Sequence, residues 1–102
     1  MSRSSTRRRI HREIRALQAL KKNIVHIIQD INFSFQSLEQ GKNQIRDIYT
    51  INDENTPIMF KIVSLSKDIS ETSNYLKRVV IPDIENRIEE LYDELASLDD
   101  DD

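Results

Sequence analysis

Apolar side chains recur every three or four positions from residue 10 to residue 38, and no proline or glycine interrupts the pattern before Gly41. The spacing predicts one long α-helix, about residues 9–40, with a single buried face. The face consists of Ile10, Ile14, Leu17, Leu20, Ile24, Ile27, Ile31, Phe35 and Leu38. At about 1.5 Å per residue this helix is too long for a compact domain of 102 residues, so it must lie along other helices.

This apolar face is wider than one helical neighbour requires. Projected at about 100° per residue, it spans roughly 160°, with Ile27 near one edge and Val25 near the other. A two-stranded coiled coil buries a narrower stripe than this. The width therefore predicts two or more neighbouring helices.

The second half of the chain predicts two further helices. Thr56 and Pro57 are a suitable cap and first residue for a helix of about residues 57–80. Its stripe is Ile58, Ile62, Leu65, Ile69, Leu76 and Val80, with Thr72 at an intervening position. Pro82 then either kinks this helix or separates it from a third helix of about residues 83–98, which we favour. The third stripe is Ile84, Ile88, Leu91, Leu95 and Leu98.

The predicted fold class is therefore all-α. We expect a long helical hairpin with a third C-terminal helix, which completes a four-helix bundle with partner helices. The single glycine argues against a β-sandwich or a phosphate-binding loop, because both need repeated tight turns. No cysteine is present, and no apolar run reaches the ~20 residues that cross a bilayer. Without an apolar N-terminal signal either, we expect a soluble intracellular protein.

Charge is distributed very unevenly along the chain. Residues 1–22 carry eight Lys or Arg against Glu13 alone, whereas residues 83–102 carry ten Asp or Glu against Arg87 alone. We predict a flexible basic arm over residues 1–8 and a solvated acidic tail over residues 99–102. Such asymmetry can also steer association or orient neighbouring chains.

Nothing in the pattern indicates catalysis. His11 and His26 project away from the apolar face and have no partner at metal-ligand spacing. Acidic pairs such as Glu85 and Glu89 lack a neighbouring histidine, which favours a solvated face. We predict no catalytic residue, no metal site and no cofactor, and we expect neither a small-molecule ligand nor a membrane partner.

A basic row lies opposite the apolar face of the first helix. Its members are Arg8, Arg12, Arg15, Lys22 and His26. Such a row can neutralise nucleic-acid phosphates, pair with an acidic partner, or simply remain solvated. Because no aromatic residues alternate with these cations and the whole chain is acidic, direct nucleic-acid binding is the less favoured interpretation.

A hairpin of this composition cannot cover the whole apolar face by itself. Small single cores rarely contribute more than ~3–5 kcal/mol, and each large apolar side chain left in water forfeits roughly 1.5–3 kcal/mol. Two additional helices would close the bundle. They could belong to a second copy or to a different protein, and the periodicity does not distinguish these cases.

Two segments resemble a known family. Residues 13–42 are similar to the first helix of subunit 11 of the Mediator of RNA polymerase II transcription, and residues 60–79 are similar to its second helix. The matching positions of the first helix are Ile14, Ala16, Leu17, Ile24, Ile28, Leu38 and Lys42. The chain departs from the family pattern at residues 21–23, where relatives tend to carry an acidic pair, and at residues 30–31.

The resemblance implies a nuclear, non-enzymatic head-module subunit that acts as a transcription coregulator. It implies pairing with Mediator subunit 22 in a heteromeric four-helix bundle that packs against subunit 17. The predicted partner-binding residues are Ile14, Leu17, Ile24, Ile28, Ile31, Phe35, Leu38, Ile62, Leu65, Ile69 and Leu76. The alternatives are a nucleic-acid-binding protein that uses its basic arm, and a coiled-coil subunit of a kinetochore or organelle-tethering complex.

Overall fold

The chain forms an antiparallel helical rod. The computed structural model describes residues 2–48 and 56–100, without the side chains of residues 47, 48, 56 and 100. Helix α1 spans Arg3–Ile48, α2 spans Thr56–Tyr75, a π-helical turn spans Leu76–Val80, and α3 spans Ile81–Asp100. The rod measures 74 × 17 × 16 Å. The all-α fold class is thus confirmed, whereas closure of a bundle by partner helices remains a prediction.

Helix α1 begins earlier than the sequence predicted. The Ser2 hydroxyl accepts a hydrogen bond from the Ser5 backbone N–H at 3.2 Å, which is the geometry of an N-cap. Arg7 then forms an ion pair with Asp99 of α3, so the basic first turns have a neighbouring carboxylate. The predicted flexible arm over residues 1–8 is therefore wrong for residues 3–8, and Met1 lies outside the described residues.

Helix α1 also continues through Gly41, where the sequence predicted that it would end. The backbone of Gly41 is helical, with no positive φ. Lys42 and Ile45, the next two residues at the spacing of the buried face, are partly buried and continue that face along the helix. Residues 49–55, which lie between the first two predicted helices, are outside the described residues.

A π-helical turn joins α2 to α3 without a loop. The backbone N–H of Ile81 donates a hydrogen bond to the carbonyl of Leu76, five residues earlier in the chain. Pro82 follows directly and has no N–H to donate, and its ring would clash with a carbonyl in a regular α-helix. The wider turn relieves this conflict. The predicted third helix exists, but it begins at Ile81 as a continuation of the second.

The residues of each side of the hairpin that face the other side are spaced alternately three and four positions apart. We call the line along which these two series meet the seam. On α1 it comprises Ile10, Ile14, Leu17, Lys21, Ile24, Ile28, Ile31, Phe35, Leu38, Lys42 and Ile45. On the returning helices it comprises Met59, Ile62, Ser66, Ile69, Ser73, Leu76, Val80, Ile84, Ile88, Leu91, Leu95 and Leu98. Between Val80 and Ile84 the second series gains one residue, and the π-helical turn accommodates it.

The buried core is concentrated where α1 packs on α3. One cluster joins Ile10 and Ile14 to Leu91 and Leu95. A second joins Ile24 and Ile28 to Ile84. No described helix is long and apolar enough to cross a membrane.

Candidate protein-interaction surface

Five large apolar side chains lie exposed along one flank of the hairpin. Each of them immediately precedes a seam residue in the sequence, and the seam residues concerned belong to every second position of their series. The five side chains therefore lie on the same side of the seam. We call them the apolar flank: Leu20, Ile27, Ile58, Leu65 and Val79. Each is between 39% and 53% exposed. A hairpin alone therefore leaves a row of half-covered aliphatic side chains along its central and loop-proximal length.

The rotation of α2 creates half of this flank. The sequence pattern placed Ile58 and Leu65 in the seam, yet Ser66 and Ser73 are buried there instead, at 8% and 5% exposure. Helices α2 and α3 are joined without a loop, so they rotate together about their common axis. The leucines and isoleucines of α3 that pack on α1 therefore also fix the rotation of α2. A pattern of apolar residues does not reveal the two serines. The extra residue in the seam spacing between Val80 and Ile84 is the sequence signal that indicates the different rotation of α2.

An ion-pair network ends the apolar flank towards the chain termini. Arg87 of α3 donates to Glu13 of α1 at 3.3 Å and to Glu90 at 3.2 Å, and it lies 3.6 Å from Glu94. The hydrogen bond to Glu90, followed by that to Glu13, raises the pKa of the Arg87 guanidinium. This end of the flank is consequently charged, and an apolar partner surface fits only the remaining length.

The predicted partner-binding residues fall mainly inside the hairpin. Ile14, Ile24 and Ile28 are buried in clusters with α3. Seven others are partly buried along the seam between the two sides: Leu17, Ile31, Phe35, Leu38, Ile62, Ile69 and Leu76. Leu65 is 48% exposed on the apolar flank. Of the predicted set, Leu65 is thus the residue most available to a second protein, and the other members of the apolar flank were not in that set.

The seam between α1 and α2 contains polar contacts. Ser66 donates to Glu39 at 3.1 Å, and Lys42 lies 2.8 Å from the same carboxylate. The Lys42 hydrogen bond is the largest cause of a lowered pKa for Glu39, and the Ser66 hydrogen bond adds to it. The Ser73 hydroxyl is buried without a hydrogen-bond partner. It lines a small cavity of about 110 Å³ together with Phe35.

The basic row is exposed on the first half of α1. Lys21 lies 3.8 Å from Glu85 of α3, and Arg7 pairs with Asp99, so part of the basic charge is neutralised within the chain. Arg8, Arg12 and Arg15 form no ion pair with any described carboxylate. These three arginines and Lys22, a further exposed member of the basic row without a described carboxylate partner, therefore remain available to another molecule.

The described residues contain no cluster of three or more His, Cys, Asp or Glu side chains that could hold a metal ion. Both histidines, His11 and His26, are exposed. Comparison with protein families, with curated proteins and with solved structures finds no match. The apolar flank and the basic row are therefore the two candidate functional surfaces of the described residues.

Proposed function

We propose that this chain is a non-enzymatic structural subunit of a multiprotein complex, and that a helical partner covers its apolar flank. The exposure of Leu20, Ile27, Ile58, Leu65 and Val79 on one side supports the proposal. Completing the burial of a half-exposed Leu or Ile is worth about 1 kcal/mol, so five of them supply on the order of 5 kcal/mol. That is comparable to the whole stability of a small domain.

The partner we propose is Mediator subunit 22, with the chain acting as a nuclear head-module subunit and transcription coregulator. The similarity of residues 13–42 and 60–79 to Mediator subunit 11 supports this identity. A hairpin from the partner would complete a four-helix bundle, and subunit 17 would contact that bundle. The bundle geometry accounts for an apolar face on α1 that is wider than the intrachain seam.

Substitutions on the apolar flank test this proposal better than substitutions in the seam. Ile28 is 7% exposed inside the hairpin, so Ile28→Asp would disrupt the chain itself as well as any partner contact. Ile27 is 48% exposed and can accept a carboxylate without burying it in the free chain. Ala19→Asp is the matched control, because it places the same carboxylate on an exposed, outward position of α1.

Co-expression with Mediator subunit 22 should yield a stoichiometric complex for the unmodified chain and for Ala19→Asp. Ile27→Asp and Leu65→Asp should lose the complex, because binding would desolvate the new carboxylate against apolar side chains. Circular dichroism should show that all variants keep their helix content. If both flank variants retain the subunit as well as the control does, this docking surface is wrong.

The purified chain alone should self-associate or unfold with low cooperativity, since the apolar flank is uncovered. Sedimentation and thermal denaturation measure both properties. A sharp two-state transition of a monomer at micromolar concentration would contradict the proposed dependence on a partner.

A further inference from the structure

A groove runs along the opposite side of the seam from the apolar flank, between the first half of α1 and α3. Its first section has a volume of about 440 Å³ and is lined by Arg8, His11, Arg12, Arg15 and Tyr92. Its second section has a volume of about 630 Å³ and continues past Val25 and Ile88. The sections share Gln18 and Tyr92, so they form one continuous groove.

We propose that this groove binds an acidic amphipathic helix of another protein. The proposal is independent of the apolar flank, because it concerns the other side of the hairpin. Arg8, Arg12 and Arg15 are spaced four and three residues apart, so their guanidinium groups project in one row along α1. A partner helix with carboxylates at the same spacing can pair with all three.

The second section of the groove defines the rest of the partner helix. Val25, Ile88 and Tyr92 offer an apolar surface to one or two aliphatic side chains. Lys21 and Lys22 line the α1 wall of the same section. Glu89 and Asp93 line its α3 wall and form no ion pair with a described cation, so they fit a Lys or Arg on the partner. From Arg8 to Val25 the groove is about 26 Å long, which corresponds to a helix of about 17 residues.

The same two carboxylates argue against nucleic acid as the occupant. A phosphate backbone in the second section would contact Lys21 and Lys22 on one wall but Glu89 and Asp93 on the other, where like charges repel. Tyr92 is the aromatic residue among those lining the groove, which falls short of a row of base-stacking side chains. A peptide helix, by contrast, can present carboxylates to the α1 wall and a basic residue to the α3 wall.

Fluorescence anisotropy with a synthetic helical peptide tests the proposal on the full chain. The probe carries three glutamates at the arginine spacing, two leucines that face the apolar part of the groove, and a lysine on the face that meets α3. A control peptide has the same composition, with the glutamates on the opposite face. We expect saturable binding of the probe at about 50 mM salt, about tenfold weaker binding of the control peptide, and weaker probe binding at about 200 mM salt.

Matched charge reversals locate the site. The double variant Arg12→Glu with Arg15→Glu should weaken probe binding about tenfold or more, because two pairs become repulsive. Lys61→Glu with Lys67→Glu changes the net charge equally on exposed positions of α2 and should alter binding less than about twofold. Tyr92→Ala should weaken binding about threefold, which diffuse charge attraction would not produce.

Three results would overturn the proposal. The first is the absence of saturable binding, or equal binding of both peptides. The second is an equal loss of binding in the two double variants. The third is tighter, Arg12- and Arg15-dependent binding of a DNA or RNA oligonucleotide than of the peptide, which would identify the row as a nucleic-acid surface.

Discussion

The two halves of the hairpin use the same seam spacing with different side chains. In the terminal half, residues 3–28 of α1 pack on α3 through isoleucines and leucines. In the loop half, residues 29–46 of α1 pack on α2, whose buried seam residues include Ser66 and Ser73. Ion pairs such as Arg87–Glu13 also join the two sides of the terminal half. The helical periodicity therefore determines which positions face the seam in both halves. The size and polarity of the residues at those positions determine how stable each half is.

The two halves also differ in the candidate interaction surface that each one carries. The terminal half carries the basic groove beside a well-packed core, so the groove has a rigid base. The loop half has a weaker seam and two of the five residues of the apolar flank, Ile58 and Leu65. A partner helix on that flank would add to the loop half the apolar burial that its own seam lacks.

The largest expected effect concerns the terminal core. Leu91 is 1% exposed, and Leu91→Ala should reduce the free energy of unfolding by about 2–5 kcal/mol through lost burial and a residual cavity. Ile69→Ala in the partly buried seam of the loop half should cost about half as much. Urea denaturation of both variants measures the difference. Equal losses would show that the two halves are equally well packed.

A pair of serine substitutions should act in opposite directions. Ser73→Ala removes a buried hydroxyl that has no hydrogen-bond partner and improves helix propensity, so it should stabilise the chain by about 1 kcal/mol. Ser66→Ala removes the donor to Glu39 and should lower stability instead. Denaturant midpoints give both signs. A loss of stability in Ser73→Ala would mean that its hydroxyl has a partner, such as a water molecule in the adjoining cavity.

Gly41→Ala should stabilise the free chain by about 0.5–1 kcal/mol. The residue lies within α1 with a helical backbone, and beyond its chain neighbours and the local helix backbone an added Cβ would meet no described heavy atom within 4 Å. Thermal denaturation and helix content measure the gain. A destabilised Gly41→Ala would contradict the continuous helix through this position.

The smallest expected effect is a pH dependence of the loop half. The pKa of Glu39 is lowered from its ordinary value of 4.5, chiefly by the Lys42 hydrogen bond. A lowered carboxyl pKa stabilises the folded state fully above the unfolded value, and the contribution disappears as pH falls through the folded value. Glu39→Gln should therefore be less stable than the unmodified chain at neutral pH, with the difference vanishing well below pH 4.5. A difference that is constant across this range would refute the ionic contribution of Glu39.

The sequence predicted the long first helix because its apolar residues repeat without interruption from Ile10 onwards. It placed the ends of that helix wrongly, since the polar, basic composition of residues 1–8 suggested a flexible arm and Gly41 suggested the end of the helix. The Arg7–Asp99 ion pair depends on the neighbouring helix α3, which periodicity does not reveal, whereas the Ser2 cap is a local hydrogen bond outside the apolar pattern. For the candidate surface, periodicity indicated an uncovered face on α1 but assigned Leu65 to the same interface as buried residues such as Ile28.

Local spacing by itself determined that the chain is helical, that it forms a hairpin and that α1 has more apolar surface than one neighbour covers. Only the tertiary structure decided which side of each helix faces inward. The rotation of α2 is fixed at a distance, by the packing of Leu91 and Leu95 on α1 and by the extra residue absorbed in the π-helical turn. Because an α-helix is torsionally stiff, that distant packing buries Ser66 and Ser73 and leaves Ile58 and Leu65 exposed on the apolar flank.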